Sequence, residues 1–421
     1  MQSRIKTLRS FLNLRKDSLP KIIALLVAMC TITGGIHLSQ PFYFGALALL
    51  AISIVSRGGL KLQNGLVLLL LLVCFFSLLI NNPPSYFRAW QRFGVYIMVV
   101  LVVSPILSGA YSTQLRAKVL YYFMLIGIIL SAGSFFAYFL GINLFERGNG
   151  YLDIGAGTFS GLMNHSMVLG PIAGLSGVAL FATILSFNSP RRHLIIVLMA
   201  LFCLISCLLA ASRVAVGATG VACIFAIFRY YRNRMSKMVS VFVVLAGLLM
   251  ATFPVWGGFT NFLVEKQQKN EEMGGAMFSR ERKFTARILE FESSPVIGIG
   301  YNAINPEYDF VEMGNGQIEP GSSWLAVASM TGVIGLCVFL GICSRGLKRA
   351  WRIKSPFISS LLGGMLVFFF IHMIAEGYIF APGSFLALLF WLIIAVIDGV
   401  FDLDKKTNGA YELPLMFPNN G

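Results

Sequence analysis

Long apolar runs, each closed by a charge, a proline or an asparagine, dominate this chain. Runs of about 16–24 residues suit a helix that crosses a bilayer. They fall at 19–37, 41–56, 63–80, 92–110, 118–140, 162–186, 193–210, 214–230, 237–256, 323–344, 357–375 and 382–401, and predict twelve transmembrane helices. The second run is short, and little more than Ser212–Arg213 separates the seventh from the eighth. One long segment, 257–322, breaks the pattern. Inside it, "SRERKFTARILEFESSPVIGIGYN" (279–302) places Arg280, Arg282, Lys283 and Arg287 close together. On a helix Arg280 and Arg287 lie about 20° apart, beside an apolar stripe of Phe284, Ile288 and Phe291 with Glu290 and Glu292 off it. That spacing predicts an amphipathic helix lying on the membrane, its arginines at the edge of the buried face. Pro295 ends it, and Gly298–Gly300 make a tight turn.

Composition narrows the class. The chain is 57% hydrophobic and 12% charged, with mean hydropathy +0.77, whereas soluble domains carry about 25% charged residues. An all-α, polytopic membrane protein follows. The net charge of +15 does not indicate nucleic acid, because the basic residues sit in short clusters between apolar runs. That is the pattern of topology control, and no phosphate loop, RNA-binding signature or zinc spacing accompanies it. With the N-terminus inside, 23 of the 33 Lys and Arg fall on the cytoplasmic side. Shifting the register by one helix would send the clusters at 229–237 and 345–354 to opposite sides. Both termini are therefore expected in the cytoplasm and the 257–322 loop outside, although it carries ten acids against six bases. The organisation read from this is a membrane part (1–256), the outer loop (257–322), a second membrane part (323–403) and a polar, disordered tail (404–421). No small-x-small cleavage site follows the basic N-terminus, so the first run reads as a retained span. The seven cysteines all lie in apolar runs and read as buried free thiols.

Several polar groups interrupt the apolar pattern at the outer ends of spans. Arg213, in "AASRVAVGATG", has no acidic neighbour in sequence. It is either an anchor reaching to lipid headgroups or part of an anion site, for which the planar guanidinium suits phosphate oxygens. Arg88 and Arg92, four apart with Tyr86 and Trp90 alongside, read as an aromatic-belt anchor or as a phosphate or sugar contact. His372 and Glu376 stand at i and i+4, fit to move a proton or to bond one helix to another. His165 opens the sixth span as a cap or a ligand contact. Glu319 precedes the tenth span, whose start suits Pro320, Ser322 and Ser323.

In this order, four segments resemble the bacterial O-antigen ligase/polymerase superfamily of polytopic membrane glycosyltransferases: "FSGLMNHSMVLGPIAGL", "ASRVAVGA", the 279–302 stretch with its Arg fifteen residues before Pro-x-x-Gly-x-Gly, and "SSWLAVASMTGVIGLCVFL". The resemblance covers about 160–340. It matches the family's two essential arginines to Arg213 and Arg280. It departs at "PGSSWL", where Gly321 and Ser322 stand in place of the His-Asn of many members, so the ligases' proposed base is absent. It implies a glycan donor on undecaprenyl diphosphate, a glycan acceptor, inversion, no metal or other cofactor, and an active site on the periplasmic face of the inner membrane. Inner-membrane lipids and a chain-length regulator protein are the implied partners, with no nucleic acid. The missing His favours a polymerase over a ligase acting on lipid A core. Candidate catalytic residues are then Arg213, Arg280 and Glu319, with Arg287, Arg88, Arg92, His165, His372 and Glu376 as substrate contacts. A flippase or transporter is the alternative of another class, but it would be expected to carry charged or broken helices in several mid-span positions.

Overall fold

The computed structural model describes residues 18–56, 61–144, 159–186, 190–247, 250, 268, 278–309 and 318–407. The ends of the chain, most of 251–277, and 310–317 lie outside the described residues, including parts of the expected ninth span, outer loop and tail. Apolar helices follow one another as the run lengths predict: α1 (Ser18–Thr31), α2 (Gln40–Val55), α3 (Gly65–Asn81), α4 (Ala89–Val103), α5 (Ala110–Phe139), α6 (Ser166–Ser186), α7 (Pro190–Leu209) and α8 (Arg213–Tyr230). There follow α9 (Met235–Gly247), the polar α10 (Phe278–Ser293), α11 (Ser323–Arg352), α12 (Pro356–His372) and α13 (Phe385–Thr407). Among the described residues, six of the helical stretches are long and apolar enough to cross a membrane and six more are apolar but shorter. The only strands described, β1 (Lys61–Leu62) and β2 (Leu107–Ser108), pair antiparallel below α3 and α5.

Helix ends follow local chemistry. Ser212, Ser322 and Ser355 cap α8, α11 and α12, each accepting from the backbone N–H three residues on. The Ser212–Arg213 junction is a true break, with Ala211 at φ 53° ahead of the cap. Glycines let the helices close up: a Cβ on Gly174 of α6 would stand 2.4 Å from Thr219 Oγ1 of α8 and 2.9 Å from Phe368 of α12, and one on Gly363 of α12 would meet Phe225 of α8 at 2.6 Å. α13 lies deepest, with residues 388–397 almost wholly buried, Trp391 and Phe390 included.

α11 differs from the uninterrupted span expected there. It breaks at Gly332 (φ 64°, ψ −168°), and the turn after α10 fills the gap. Val333 and Ile334 donate their freed N–H groups to Pro295 and Val296 carbonyls at 2.8 and 3.5 Å, and Ile299 N–H returns a bond to Ser329 O at 2.8 Å. Irregular backbone at membrane depth is tolerated only where protein satisfies it. The two chains meet so closely that a Cβ on Gly332 would lie 2.2 Å from the Val296 carbonyl carbon, and one on Gly298 2.3 Å from that of Met330. The turn is also bound to α3, through Asn81 Nδ2 to Gly298 O at 2.9 Å. Cys337, expected to be buried, is exposed on α11.

Candidate active site

α8 and α12 run antiparallel, so the start of α8 and the finish of α12 share one end of the bundle. α6 and α11 also begin there: Gly170 of α6 abuts Ser212, and Ser323 N–H reaches Met373 O and Glu376 O, both at 3.0 Å. α12 stops at His372, so His372 and Glu376 do not occupy successive turns of one helix as their spacing suggested. Instead residues 373–378 form a turn laced to the head of α11. Ser323 Oγ donates to Glu376 O at 2.7 Å and accepts from Tyr378 N–H at 3.0 Å, while Ser322 Oγ reaches Met373 O at 3.2 Å.

α10 lays its first turn across this turn. Arg280 Nη2 pairs with Glu376 Oε1 at 2.5 Å, and Nη1 donates to Gly321 O at 3.1 Å and to Ala375 O. The guanidinium is thus held at a fixed point, with a quarter of the side chain still exposed and Glu376 17% exposed. One turn on, Lys283 Nζ pairs with Glu319 at 2.5 Å, and the Glu319 side chain is 61% exposed. Gly321 adopts φ 77°, and a Cβ there would meet the Lys283 Cβ at 2.9 Å, so a histidine could not take this place without moving α10. Beneath the cluster His372 is buried, stacked on Phe368, with Nδ1 3.3 Å from Tyr378 Oη.

The other expected residues lie around this centre at different distances. Arg213 is exposed as the first residue of α8, at the end of the α8–α12 pair that carries His372. His165 precedes α6, and its Nδ1 accepts from Met167 N–H at 3.0 Å, a capping role. Arg88 and Arg92 do not share a helix face as expected: Arg88 sits outside α4 as its N-cap in a left-handed conformation, φ 51°. They flank the far end of α10's turn, where Asn302 Nδ2 bonds Phe87 O at 3.0 Å.

Arg287 requires a correction. The expectation put it at a lipid-facing edge beside Arg280, in contact with substrate. It is fully buried, with Nη2 2.8 Å from Glu290 Oε1 and 3.4 Å from Asp309 Oδ2. Glu290 Oε1 also accepts from Asn305 N–H at 2.7 Å. The helix therefore turns its Ala286–Arg287–Glu290 face inward and leaves Ile288 and Leu289 46% and 38% exposed. The sequence stripe pointed the other way because a buried ion pair reads, in sequence, like a solvent face. Burial is the main influence on both charges. It lowers the Arg287 pKa and raises the Glu290 carboxyl to about 7, against the opposing pull of Arg287. Sequence reasoning also missed the parts played by Ser323, Lys283 and Asp309. Only the Gly in "TGVIG" and the Pro-x-x-Gly-x-Gly turn signalled the clasp.

Chemically, the cluster offers a fixed, partly exposed guanidinium with a carboxylate partner and a second carboxylate one helical turn away, and Arg213 begins α8 at the same end of the bundle. Such a site can bind a diphosphate and stabilise charge that develops on it. Among the described residues no three His, Cys, Asp or Glu side chains gather as a metal site. No match to the chain is found among curated proteins. Residues 197–340 match the family model described as O-Antigen ligase, a span that includes Arg213, Arg280, Arg287, Glu319 and the Gly298–Gly332 clasp, and ends before His372 and Glu376. Over those residues, about a third of the chain, it is similar to the O-antigen ligase family, in line with the resemblance drawn from the sequence.

Proposed function

We propose that the protein is a polymerase of a bacterial surface polysaccharide, transferring glycan from undecaprenyl diphosphate to a sugar hydroxyl of an acceptor with inversion. It works from the inner membrane, with twelve spans, cytoplasmic termini and the Arg280 cluster facing the periplasm. Arg280 and Arg213 grip the diphosphate, and their charge takes the place of a metal ion. The anomeric C–O bond breaks with its electron pair moving to the diphosphate oxygen, and fixed cations meet the charge that develops there. The acceptor oxygen attacks the opposite face of the sugar and its proton passes to a carboxylate.

Inversion separates the base from the leaving group. Glu376 touches Arg280 itself and so lies on the leaving-group side, where it serves as the counter-ion that the diphosphate displaces. Glu319 stands a helical turn away beside Lys283, about 5 Å along α10, and is the better-placed base. The observation that supports this reading most is the convergence of Arg280, Glu376 and Glu319 at the end of the bundle that Arg213 also occupies. The ligase reaction onto lipid A core is the alternative, and the left-handed Gly321 packed on Lys283 speaks against it because it leaves no room for the ligases' histidine. The deciding experiment is transfer in isolated membranes with a lipid-diphosphate glycan. Wild-type protein is expected to lengthen the glycan on its lipid carrier without added lipid A core. Product appearing only when core acceptor is supplied would reassign it as a ligase.

A further inference from the structure

α10 is anchored at two places, and on the reading of Arg280 as the diphosphate ligand one of them must let go during every turnover. The front anchor is Arg280 on Glu376, Ala375 O and Gly321 O, helped by Lys283 on Glu319. A diphosphate that takes the guanidinium removes most of it. The rear anchor is of another kind. Arg287, Glu290 and Asp309 meet where solvent does not reach: the side chains of Arg287 and Glu290 are 0% exposed and that of Asp309 is 8% exposed. Glu290 also holds the backbone N–H of Asn305, which ties the 302–309 segment to α10. Just beyond α10, the Gly298–Gly332 clasp joins the same turn to α11.

We infer that Arg287, Glu290 and Asp309 are positioning residues: a buried lock that keeps α10 seated on α11 while Arg280 exchanges Glu376 for substrate. The physical case is the contrast in burial. A partly exposed ion pair competes with water and with ligand phosphate, so it is exchangeable. A buried one is costly to break from one side, because the remaining charge is stranded without solvent. Arg287 Nη2 alone carries the contacts to both carboxylates, so the pair is held at one point. What it supplies is a single position for α10, seven residues from the group that must move.

The test uses the full chain in native membranes and no glycan, so its failure is separate from failure of the transferase reading. Cysteines at 283 and 319 (K283C, E319C), bridged by a bis-methanethiosulfonate long enough to replace the lost side chains, report by formation of the double mixed disulfide whether the front of α10 stays in place. The linked peptide is identified by mass spectrometry. With Arg280→Gln added, the front anchor is gone and the bridge should still form at the parent rate. Adding Arg287→Met as well should slow it about tenfold, the change that one contact of ~1.4 kcal/mol controls. Should Arg287→Met fail to accumulate, the near-isosteric pair Glu290→Gln, Asp309→Asn takes its place with the same expectation. Equal rates in all backgrounds would overturn the lock. So would a rate already lost with Arg280→Gln alone.

Discussion

Where α4 and α11 finish, at the opposite end of the bundle from the candidate site, arginines meet backbone. Arg116, fully buried, donates Nε–H and Nη2–H to Val102 O at 3.1 and 2.7 Å and Nη1–H to Leu107 O at 2.9 Å. Arg229 does the same for Trp351 O and Ile353 O, at 3.1 and 2.6 Å. The last carbonyls of a helix have no intrahelical donor, and a cation placed there satisfies them and the helix dipole together. Arg349 and Arg345 instead face the buried Asp398, at 3.1 and 3.7 Å, where Asn64 Nδ2 also donates at 2.9 Å. Arg280, at the other end, is a quarter exposed and its strongest partner is a carboxylate on a surface turn. Clusters that look alike as charge runs thus divide into arginines that cap backbone carbonyls, arginines held on a fully buried aspartate, and Arg280, whose carboxylate partner is itself partly exposed and can be traded for another anion.

The sharpest break between the two ends is in activity. Arg280→Ala and Arg213→Ala should abolish lengthening of the glycan at normal protein level. Lysine should restore little, because it lacks the planar fork. Arg229→Ala should leave turnover per folded molecule near wild type and instead cost about 1–3 kcal/mol of stability through the carbonyls it leaves buried, read as a lower Tm in detergent. Full-length product from Arg280→Ala, or a dead but stable Arg229→Ala, would erase the distinction.

Next in size is Glu319→Gln, which keeps the shape and removes the basicity. Loss of a general base typically slows a reaction 10²–10⁴-fold, so single-turnover rates should fall in that range with donor KM little changed. Glu376→Gln should chiefly alter donor affinity, since its carboxylate competes with the diphosphate for Arg280. Wild-type rates in Glu319→Gln, or the opposite split between the two variants, would remove the assignment of base and counter-ion. A smaller effect belongs to the clasp. Gly332→Ala places a methyl against Val296 carbonyl carbon at a backbone angle that costs about 1–3 kcal/mol for a non-glycine residue. It should lower Tm and loosen α10 without touching the cluster; an unchanged Tm would show that α11 does not need the break.

How much of this the chain announced depends on the kind of force involved. Spans are legible because each is a local property, an apolar run long enough to cross a bilayer, and the expected runs all overlap an apolar helix described here. Arg280 was singled out by its resemblance to the family's loop motif, an Arg fifteen residues before Pro-x-x-Gly-x-Gly, and not by the helical pattern around it. The ends of helices were less legible: α12 stops at His372, where the Ser323 N–H of α11 takes up the Met373 and Glu376 carbonyls, and no residue type marks that. Least legible was the inward face of α10. Periodicity assigns a charged stripe to solvent, and the second partner of the buried Arg287, Asp309, lies twenty-two residues further along the chain.

The smallest effect expected comes from that buried face, and its sign follows from the direction of the shift. Glu290 carries a pKa raised from 4.5 to about 7, so the fold favours its protonated form. A carboxyl raised in this way adds stability that is fully present below its unfolded value and is lost as pH rises through about 7. The groups facing it are Arg287 on its own helix, Asp309 and the Asn305 N–H on the following segment, and the Ser329 hydroxyl on α11. Once Glu290 is ionised, one guanidinium faces two carboxylates. Deprotonation should therefore cost up to about 3 kcal/mol between pH 5 and pH 8, with the pull of Arg287 already contained in that shift. Wild-type protein should show a falling Tm across that range, and Glu290→Gln, which stays neutral and can still accept from Asn305 and Arg287, should flatten it. Arg280→Gln, at the exposed end of the same helix, should leave the slope in place. An identical slope in wild type and Glu290→Gln would mean that the pH response arises elsewhere.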